Sequence, residues 1–121
     1  MYIMAIDQGT TGSTVSILNQ AGGLVAKANS EFPQIFPKPG WVEHNPEDIW
    51  LSIKKTTLQV LEKSKISPSQ IAAIGITNQR ETIIAWEKST GMPVYNAIVW
   101  QCRRTKDFCE KLKKQKKQNL V

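Results

Sequence analysis

The first third of the chain alternates between short apolar segments and turn residues. Residues 2–6 form a continuous apolar run, which is typical of a strand buried on both faces of a sheet. Val15 and Ile17 alternate with polar neighbours and predict a second strand. The glycines at 22 and 23 predict a turn into a third strand at about residues 24–29. Three strands in a meander are therefore expected first.

The pattern then changes to a loop and a helix. Residues 32–45 contain three prolines and one glycine, which predicts an ordered loop. Asn45 and Pro46 predict a helix start, because an asparagine side chain caps free amide groups and proline suits the first helical position. Apolar residues at 49, 53, 60 and 61 extend this helix to about residue 63, and residues 67–70 resemble a one-turn capping box.

Strand patterns return in the second half. They cover residues 71–77, 82–86 and about 97–100, with the polar connection Asn78 to Glu81 between the first two. Phe108 and Leu112 lie four residues apart and predict one face of a final helix. Strands followed by strands alternating with helices predict an α/β sheet with mixed strand directions.

Charge changes this picture little. The 121 residues carry a net charge of +6, but residues 111–121 hold five lysines and no acid. The first 110 residues therefore hold 11 basic and 10 acidic residues, a net charge of +1. A short lysine-rich segment is typical of a solvated helix face, so nucleic acid is not an expected partner.

No apolar stretch approaches the roughly 18 to 20 residues that span a bilayer, so no membrane partner and a cytoplasmic location are expected. Cys102 and Cys109 lie seven apart, which fits no redox or zinc motif, and free thiols on neighbouring helical turns are predicted. His44 is the only histidine and is interpreted as a hydrogen-bonding loop residue. A structural or surface role is expected for Arg103 and Arg104.

The segment "DQGTTGST" at residues 7–14 is the first candidate for chemistry. The chain has neither a P-loop nor a GxGxxG fingerprint. Gly9 and Gly12 would let backbone amides point inward, the hydroxyls of Thr10, Thr11 and Ser13 would add donors, and Asp7 could hold hydrated magnesium. A plain glycine-containing turn between strands explains the same residues, and the residues alone favour this plain turn, because short turns of glycine and threonine are common.

The connection at Arg80 and Glu81 is the second candidate. On an exposed hairpin such a pair contributes at most about 1 kcal/mol, whereas in a cleft it offers donors and acceptors to the adjacent hydroxyls of a polyol. Trp100, near the end of the next predicted strand, is either a core residue or an apolar wall for a small ligand.

The blocks "PGWVEH", "GITNQRE" and "NAIVWQCRRT", in this order after "AIDQGTT", closely resemble the N-terminal part of glycerol kinases, within the family of carbohydrate and polyol kinases. The resemblance runs from residue 1 to about residue 112. It implies an α/β fold of the actin-like ATPase, ribonuclease H-like type. Residues 1–121 would be the N-terminal portion of the first domain only, without the second domain, and 111–121 would be a lysine-rich, interrupted helix.

The resemblance also implies roles for the candidate residues. Glycerol and ATP would be the substrates, Mg²⁺ the metal at Asp7, and the full-length relatives homo-oligomers. The ATP and phosphate set would be Asp7, Thr10, Thr11, Gly12 and Ser13. The glycerol set would be Arg80, Glu81 and Trp100. No catalytic residue is expected within the chain, since the family's general-base aspartate matches no position of it.

One position departs from the family's pattern. Glycerol kinases usually have an arginine that reaches a phosphate where this chain has Thr14, and losing such a bond is worth roughly 1.5 to 3 kcal/mol. The expected function is ATP-dependent phosphorylation of glycerol to sn-glycerol 3-phosphate, with this chain alone inactive. Two alternatives stay open: a non-catalytic truncated or decayed relative, and a kinase for another sugar or polyol.

Overall fold

The computed structural model describes residues 1–115. Its strands are β1 (Tyr2–Gln8), β2 (Gly12–Asn19), β3 (Leu24–Glu31), β4 (Glu43–His44), β5 (Ile71–Thr77) and β6 (Ala97–Ile98). Its helices are α1 (Pro46–Ser64) and α2 (Lys106–Lys114), and a short 3-10 turn covers Pro68–Gln70. The predicted meander, the long helix and the strand at 71–77 are confirmed, with ends that differ by a few residues.

The main sheet has the strand order β3-β2-β1-β5. The first three strands are antiparallel neighbours, whereas β5 runs parallel to β1. Asp7 therefore lies opposite Thr14 on one side and beside Thr77 on the other. Because β1 and β5 are parallel, their carboxyl ends meet at one edge of the sheet, which is where ligands bind in open α/β sheets.

Helix α1 covers one face of this sheet. The Asn45 side chain accepts a hydrogen bond from the Glu47 amide at 3.0 Å, as expected of an N-cap. The helix packs its small buried residues Ser52 and Thr56 toward the sheet, and their hydroxyls bond back to carbonyls of the preceding turn at 2.8 and 2.7 Å. The apolar core beneath the helix consists of Met4, Ile6, Val15, Ile17, Ala26, Val60 and Ile66.

The expectation that β1 is buried on both faces is wrong for the described residues. Met4, Ile6 and Gln8 are buried, whereas Ile3 and Asp7, which alternate with them on the other face, are exposed. On the parallel neighbour β5, Ile74 and Ile76 are 59% and 71% exposed. The reason is that α1 crosses β2 and β3 and scarcely reaches the β1 side, so one face of β1 and both faces of β5 lack a covering layer within residues 1–115.

The predicted strand at 82–86 is also wrong. Residues 82–96 make only isolated bridges, Ile83 to Ile98 and Trp86 to Pro93. Hydrogen bonds from the Glu87 amide to the Met92 carbonyl and from the Val94 amide to the Ala85 carbonyl flank the second bridge, but no adjacent pair extends it into a ladder. The predicted strand near 97–100 is reduced to β6, which pairs with β4 in a separate two-stranded sheet.

The final helix is confirmed as α2, but the expected placement of the thiols is not. Both cysteines are free, and only Cys109 lies in α2, since Cys102 precedes that helix in an irregular segment. Most of the lysine-rich segment, residues 116–121, lies outside the described residues. Within the described part of the chain, neither helix has the length and apolar composition needed to cross a membrane.

Candidate functional site

A cavity of about 650 Å³ opens at the carboxyl ends of β1 and β5. Parallel pairing of these two strands brings the turn after β1 against the connection after β5, although about seventy residues separate them in the sequence. The lining residues are Asp7, Gln8, Gly9, Thr10, Thr77, Asn78, Gln79, Arg80, Glu81 and Trp100. Five of the sequence-predicted site residues, Asp7, Thr10, Arg80, Glu81 and Trp100, thus line one space.

The turn between β1 and β2 is closed by a hydrogen bond from the Gly9 amide to the Gly12 carbonyl, 2.9 Å. Gly12 is packed so tightly against β3 that a Cβ there would lie 2.7 Å from the Ser30 carbonyl oxygen. A side chain at 12 would therefore push β3 away from β2. This close packing explains the glycine at 12 without reference to any ligand.

The hydroxyl residues of this turn point in different directions. Thr10 lines the cavity, and its Oγ1 accepts a hydrogen bond from Trp100 Nε1 at 3.1 Å. Thr11 is exposed outside the cavity. Ser13 is fully buried, and its hydroxyl bonds the Ser52 hydroxyl of α1 at 2.7 Å. Of the five predicted phosphate residues, only Asp7 and Thr10 line the cavity.

Asp7 is exposed at the end of β1 and lines the cavity. Within residues 1–115 no group of three or more histidine, cysteine or acidic side chains could hold a metal ion. A lone carboxylate still suits Mg²⁺, which keeps several waters and is commonly bound through one or two carboxylates together with substrate phosphates. Asp7 is thus suited to a magnesium ion shared with a phosphate and unsuited to a closed protein site.

Thr14 lies opposite Asp7 across the β1–β2 ladder. Its Oγ1 accepts a hydrogen bond from Asn29 Nδ2 of β3 at 2.9 Å. The position for which the sequence resemblance predicts an arginine is therefore taken by a neutral side chain that is hydrogen-bonded within the sheet.

The segment after β5 forms another wall, and we call it the polyol loop (residues 78–81) after the ligand that the sequence resemblance predicts. Glu81 adopts a left-handed backbone conformation with φ of 56°, which is uncommon for a non-glycine residue. Arg80 and Glu81 are exposed, and within the described part of the chain neither forms an ion pair. A guanidinium and a carboxylate that line a cavity and are not paired with each other are available to a ligand with adjacent hydroxyl groups.

Two residues of this wall were not identified from the sequence. Gln8 Oε1 accepts a hydrogen bond from the backbone amide of Gln79 at 3.4 Å. This bond joins the end of β1 to the polyol loop. The Gln79 side chain is 7% exposed and lines the cavity. The sequence pattern could not identify these residues, because glutamine side chains are normally exposed.

Trp100 is 52% exposed and forms a side wall, so it is not a core residue. Its position depends on side chains that surround the buried Glu43 carboxylate, which we call the Glu43 cluster: Glu43, Tyr95, Asn96 and Arg104. The Glu43 carboxylate accepts hydrogen bonds from the Tyr95 hydroxyl at 3.1 Å, Asn96 Nδ2 at 2.9 Å and Arg104 Nη2 at 2.5 Å. Because these donors flank Trp100 in sequence, the cluster holds both ends of its segment against β4.

Arg104 connects this cluster to the proline-rich loop. Its guanidinium carbon lies 4.0 Å from the centre of the Trp41 ring, and its Nε donates to Cys102 Sγ at 3.0 Å. Burial by itself raises the pKa of Glu43, but the hydrogen bonds from Asn96, Arg104 and Tyr95 together lower it below its ordinary value. The structural role expected for Arg104 is confirmed, and Arg103 is exposed.

His44 lies in β4, not in a loop, and is fully buried. The interpretation of His44 as a hydrogen-bonding residue is confirmed, since its Nε2 contacts Gln34 Oε1 at 2.5 Å. Burial lowers the pKa of His44 below its ordinary value, so the ring is neutral at physiological pH.

Comparison with known proteins places this geometry in a family. Residues 2–121 match the N-terminal domain of the FGGY family of carbohydrate kinases. The chain belongs to the FGGY family. The FGGY chain is 63% identical over 120 residues to a glycerol kinase of Bdellovibrio bacteriovorus and 61% identical over 112 residues to one of Halothermothrix orenii. These matches cover 99% and 93% of this chain but only 24% and 22% of those proteins.

Solved structures agree with the FGGY assignment. The crystal structure of Plasmodium falciparum glycerol kinase with ADP has a TM-score of 0.82 at 36% identity, over 92% of this chain and 22% of that one. Gluconate kinase from Lactobacillus acidophilus has a TM-score of 0.87 at 25% identity, over 96% of this chain and 23% of that one. The α/β, actin-like fold and the resemblance to the N-terminal part of glycerol kinases are confirmed, and the FGGY chain spans about a quarter of the length of these relatives.

Proposed function

We propose that this chain contributes the polyol wall and part of the phosphate wall of an ATP-dependent glycerol kinase. The reaction would transfer the γ-phosphoryl group of ATP to a terminal hydroxyl of glycerol and form sn-glycerol 3-phosphate. The observation that carries the proposal is the meeting of Asp7 and Thr10 with Arg80, Glu81 and Trp100 around one cavity. The similarity to proteins named glycerol kinase supports the choice of substrate.

Glycerol would lie against the polyol loop. Arg80 would donate hydrogen bonds to neighbouring hydroxyl oxygens and Glu81 would accept from the hydroxyl hydrogens, so that adjacent hydroxyl groups are held in one orientation. The half-exposed Trp100 ring would cover the carbon side of glycerol. Such positioning is a main source of rate enhancement in phosphoryl transfer.

The nucleotide phosphates would lie at the β1–β2 turn. Thr10 would donate its hydroxyl hydrogen to a phosphate oxygen while it accepts from Trp100, and the exposed Thr11 would contribute its backbone amide. The buried Gly12 and Ser13 would support the phosphate turn from behind. Asp7 would hold Mg²⁺, which supplies neutralisation of phosphate charge when bound. The general base is assigned to an aspartate that matches no position of this chain, so we expect residues 1–121 to position the reactants and not to deprotonate glycerol.

The proposal extends to the domain, the location and the assembly of the protein. Residues 1–121 are assigned to the N-terminal portion of the first kinase domain, the location is cytoplasmic, and full-length relatives form homo-oligomers. Nucleic acid is not a proposed partner. The distribution of charge supports the exclusion of nucleic acid, because residues 111–121 contribute +5 of the net charge of +6.

The direct test is glycerol binding by this chain, followed through the Trp100 indole resonance in NMR. We expect glycerol to shift this resonance and Arg80→Met to weaken binding about tenfold or more, because charge-assisted hydrogen bonds are lost. Arg103→Met is the matched control, since it removes an exposed arginine outside the cavity. Equal glycerol affinity in wild type and Arg80→Met would contradict the proposal.

A kinase for another sugar is the second candidate, because a gluconate kinase and a xylulose kinase share the fold with TM-scores of 0.87. Titrations of the chain with gluconate and xylulose distinguish a kinase for another sugar from a glycerol kinase. Tighter binding of either compound than of glycerol would favour this second function. A coupled glycerol phosphorylation assay tests the expectation of inactivity, which measurable turnover by the chain alone would refute.

A further inference from the structure

One side-chain hydrogen bond joins the phosphate side of the cavity to its polyol side. Trp100 Nε1 donates to Thr10 Oγ1 at 3.1 Å, and both residues line the cavity. Ninety residues separate them in the sequence, and the bond is exposed. Trp100 therefore contacts the β1–β2 turn directly, in addition to facing the space assigned to the polyol.

The chemistry of the two side chains determines the direction of this bond. An indole nitrogen can only donate, so the Thr10 oxygen is the acceptor. A hydroxyl group also carries one hydrogen of its own, and within residues 1–115 the Thr10 hydroxyl makes no second hydrogen bond. The indole thus occupies one acceptor site of Thr10 and leaves the hydroxyl hydrogen for a ligand.

Both partners are held in place from outside the cavity. The backbone carbonyl of Thr10 accepts a hydrogen bond from Gln34 Nε2 at 3.1 Å. On the other side, the Glu43 cluster holds residues that precede and follow Trp100. The fold therefore brings the indole and the hydroxyl together before any ligand binds.

Solvent keeps this bond weak in the free chain. Trp100 is 52% exposed and Thr10 is partly buried, so water competes for the indole hydrogen and for the hydroxyl. A polyol that lies on the Trp100 ring would exclude this water and restrict the ring. Because a hydrogen bond shielded from water is stronger, the hydroxyl of Thr10 would then be oriented more firmly toward a phosphate oxygen.

We propose that the Trp100–Thr10 hydrogen bond couples the two ligand sites, so that a polyol on Trp100 strengthens phosphate binding at Thr10. This inference rests on the proposed function, which assigns Trp100 to glycerol and Thr10 to ATP. Coupling between two binding equilibria is reciprocal, so phosphate strengthens polyol binding by the same factor. Toward the phosphate Trp100 is a positioning residue, because it acts through Thr10.

The first measurement tests the hydrogen bond without any ligand. The chain has four tryptophans, so a ¹H–¹⁵N spectrum contains four indole N–H resonances, and Trp100→Phe identifies the one from Trp100. We expect this resonance to move upfield in Thr10→Val, where the indole loses its acceptor, and to stay near its wild-type position in Thr10→Ser. No shift in Thr10→Val, or an equal shift in both variants, would overturn the inference whether or not a ligand binds.

The second measurement is a calorimetric titration with inorganic tripolyphosphate and Mg²⁺, with and without saturating glycerol. In wild type, glycerol is expected to raise the affinity for tripolyphosphate about two- to tenfold, the range of one neutral hydrogen bond. In Thr10→Val the affinity should be the same with and without glycerol, whereas Thr10→Ser keeps the hydroxyl and should keep the enhancement. Trp50→Phe is the matched control and should also keep it, since Trp50 is 54% exposed on α1 and lies outside the cavity.

Trp100→Phe provides a second variant should Thr10→Val not fold or bind tripolyphosphate too weakly to measure. It keeps the Thr10 hydroxyl and an aromatic ring but has no N–H to donate, so the enhancement by glycerol should again be lost. Full enhancement in either variant, or none in wild type, would overturn the inference while the proposed function stands. If wild type does not bind both ligands, the inference fails together with the assignment of both walls to this chain.

Discussion

Glu43 and Glu81 both lie close to an arginine, and the fold places them in opposite surroundings. Glu43 is 1% exposed and accepts hydrogen bonds from three side chains, one of them the guanidinium of Arg104. Glu81 is the immediate sequence neighbour of Arg80, yet both are exposed at the cavity and unpaired within residues 1–115. Arg80 and Glu81 do not pair although they are adjacent in sequence. Glu43 and Arg104 do pair although 61 residues separate them.

This difference separates the charges that stabilise the fold from the charges that are available to bind a ligand. A buried carboxylate must be fully hydrogen-bonded, because removing its partner leaves an uncompensated charge in the interior. An exposed pair contributes little to stability and keeps its donors and acceptors available. The Glu43 cluster therefore supports Trp100, and the polyol loop presents Arg80 and Glu81 to the cavity.

Removing the guanidinium of the buried pair should have the largest effect. Arg104→Met is expected to lower the free energy of unfolding by about 3 to 5 kcal/mol, because Glu43 is left buried and charged without its partner. Urea titration monitored by circular dichroism measures this change. Arg103→Met, at the exposed neighbour, should stay within about 0.5 kcal/mol of wild type, and a loss of similar size there would remove the distinction between the two regions.

Adding a charge at position 14, opposite Asp7 in the β1–β2 ladder, should change ligand binding. Thr14→Arg is expected to strengthen binding of inorganic tripolyphosphate with Mg²⁺ by roughly 1.5 to 3 kcal/mol, through new charge-assisted hydrogen bonds. Isothermal titration calorimetry compares it with Thr14→Met, which also removes the threonine hydroxyl but adds no charge. If both variants bind with the same affinity, the role assigned to this position is wrong.

Acid should weaken the fold through buried groups in two separate pH ranges. The pKa of His44 is lowered, so the unfolded chain takes up a proton first as pH falls below about 6.5 and stability declines from there. The pKa of Glu43 is also lowered, so its contribution is present above about pH 4.3 and is lost as pH falls through its folded value.

Urea titrations across pH separate these two contributions. His44→Gln should remove the decline that begins near neutrality, and Glu43→Gln should flatten the decline at lower pH. Curves for both variants that parallel wild type would show that other groups are responsible.

Neutralising the exposed pair should have the smallest effect on stability. Arg80→Met combined with Glu81→Gln is expected to change the free energy of unfolding by less than about 1 kcal/mol, because exposed charges are well solvated. Urea titration of the double variant measures this. A loss of several kcal/mol would mean that the polyol loop is a structural element like the Glu43 cluster.

Local patterns predicted most elements near the sheet. Some features depend only on residues close together in sequence, so the sequence predicts them. They are the Asn45 cap, the spacing of apolar residues in α1 and the glycine turns. The strand expected at 82–86 failed because its apolar residues are not paired along a ladder, and Ile83 and Trp86 remain largely exposed. Periodicity reports which residues are apolar but not whether a neighbouring strand is there to pair with them.

The sequence by itself determined most of the order of helices and strands, and its resemblance to glycerol kinases predicted the residues of a phosphate turn and a polyol loop. Only the tertiary structure decided which of them share a space. Parallel pairing of β1 with β5 brings Asp7 and Thr10 to Arg80 and Glu81, while Ser13 turns toward α1 and Thr11 to solvent. The buried partnerships of Glu43 and of His44 arise the same way, because charge and hydrogen-bond satisfaction depend on distances that residues far apart in sequence acquire only on folding.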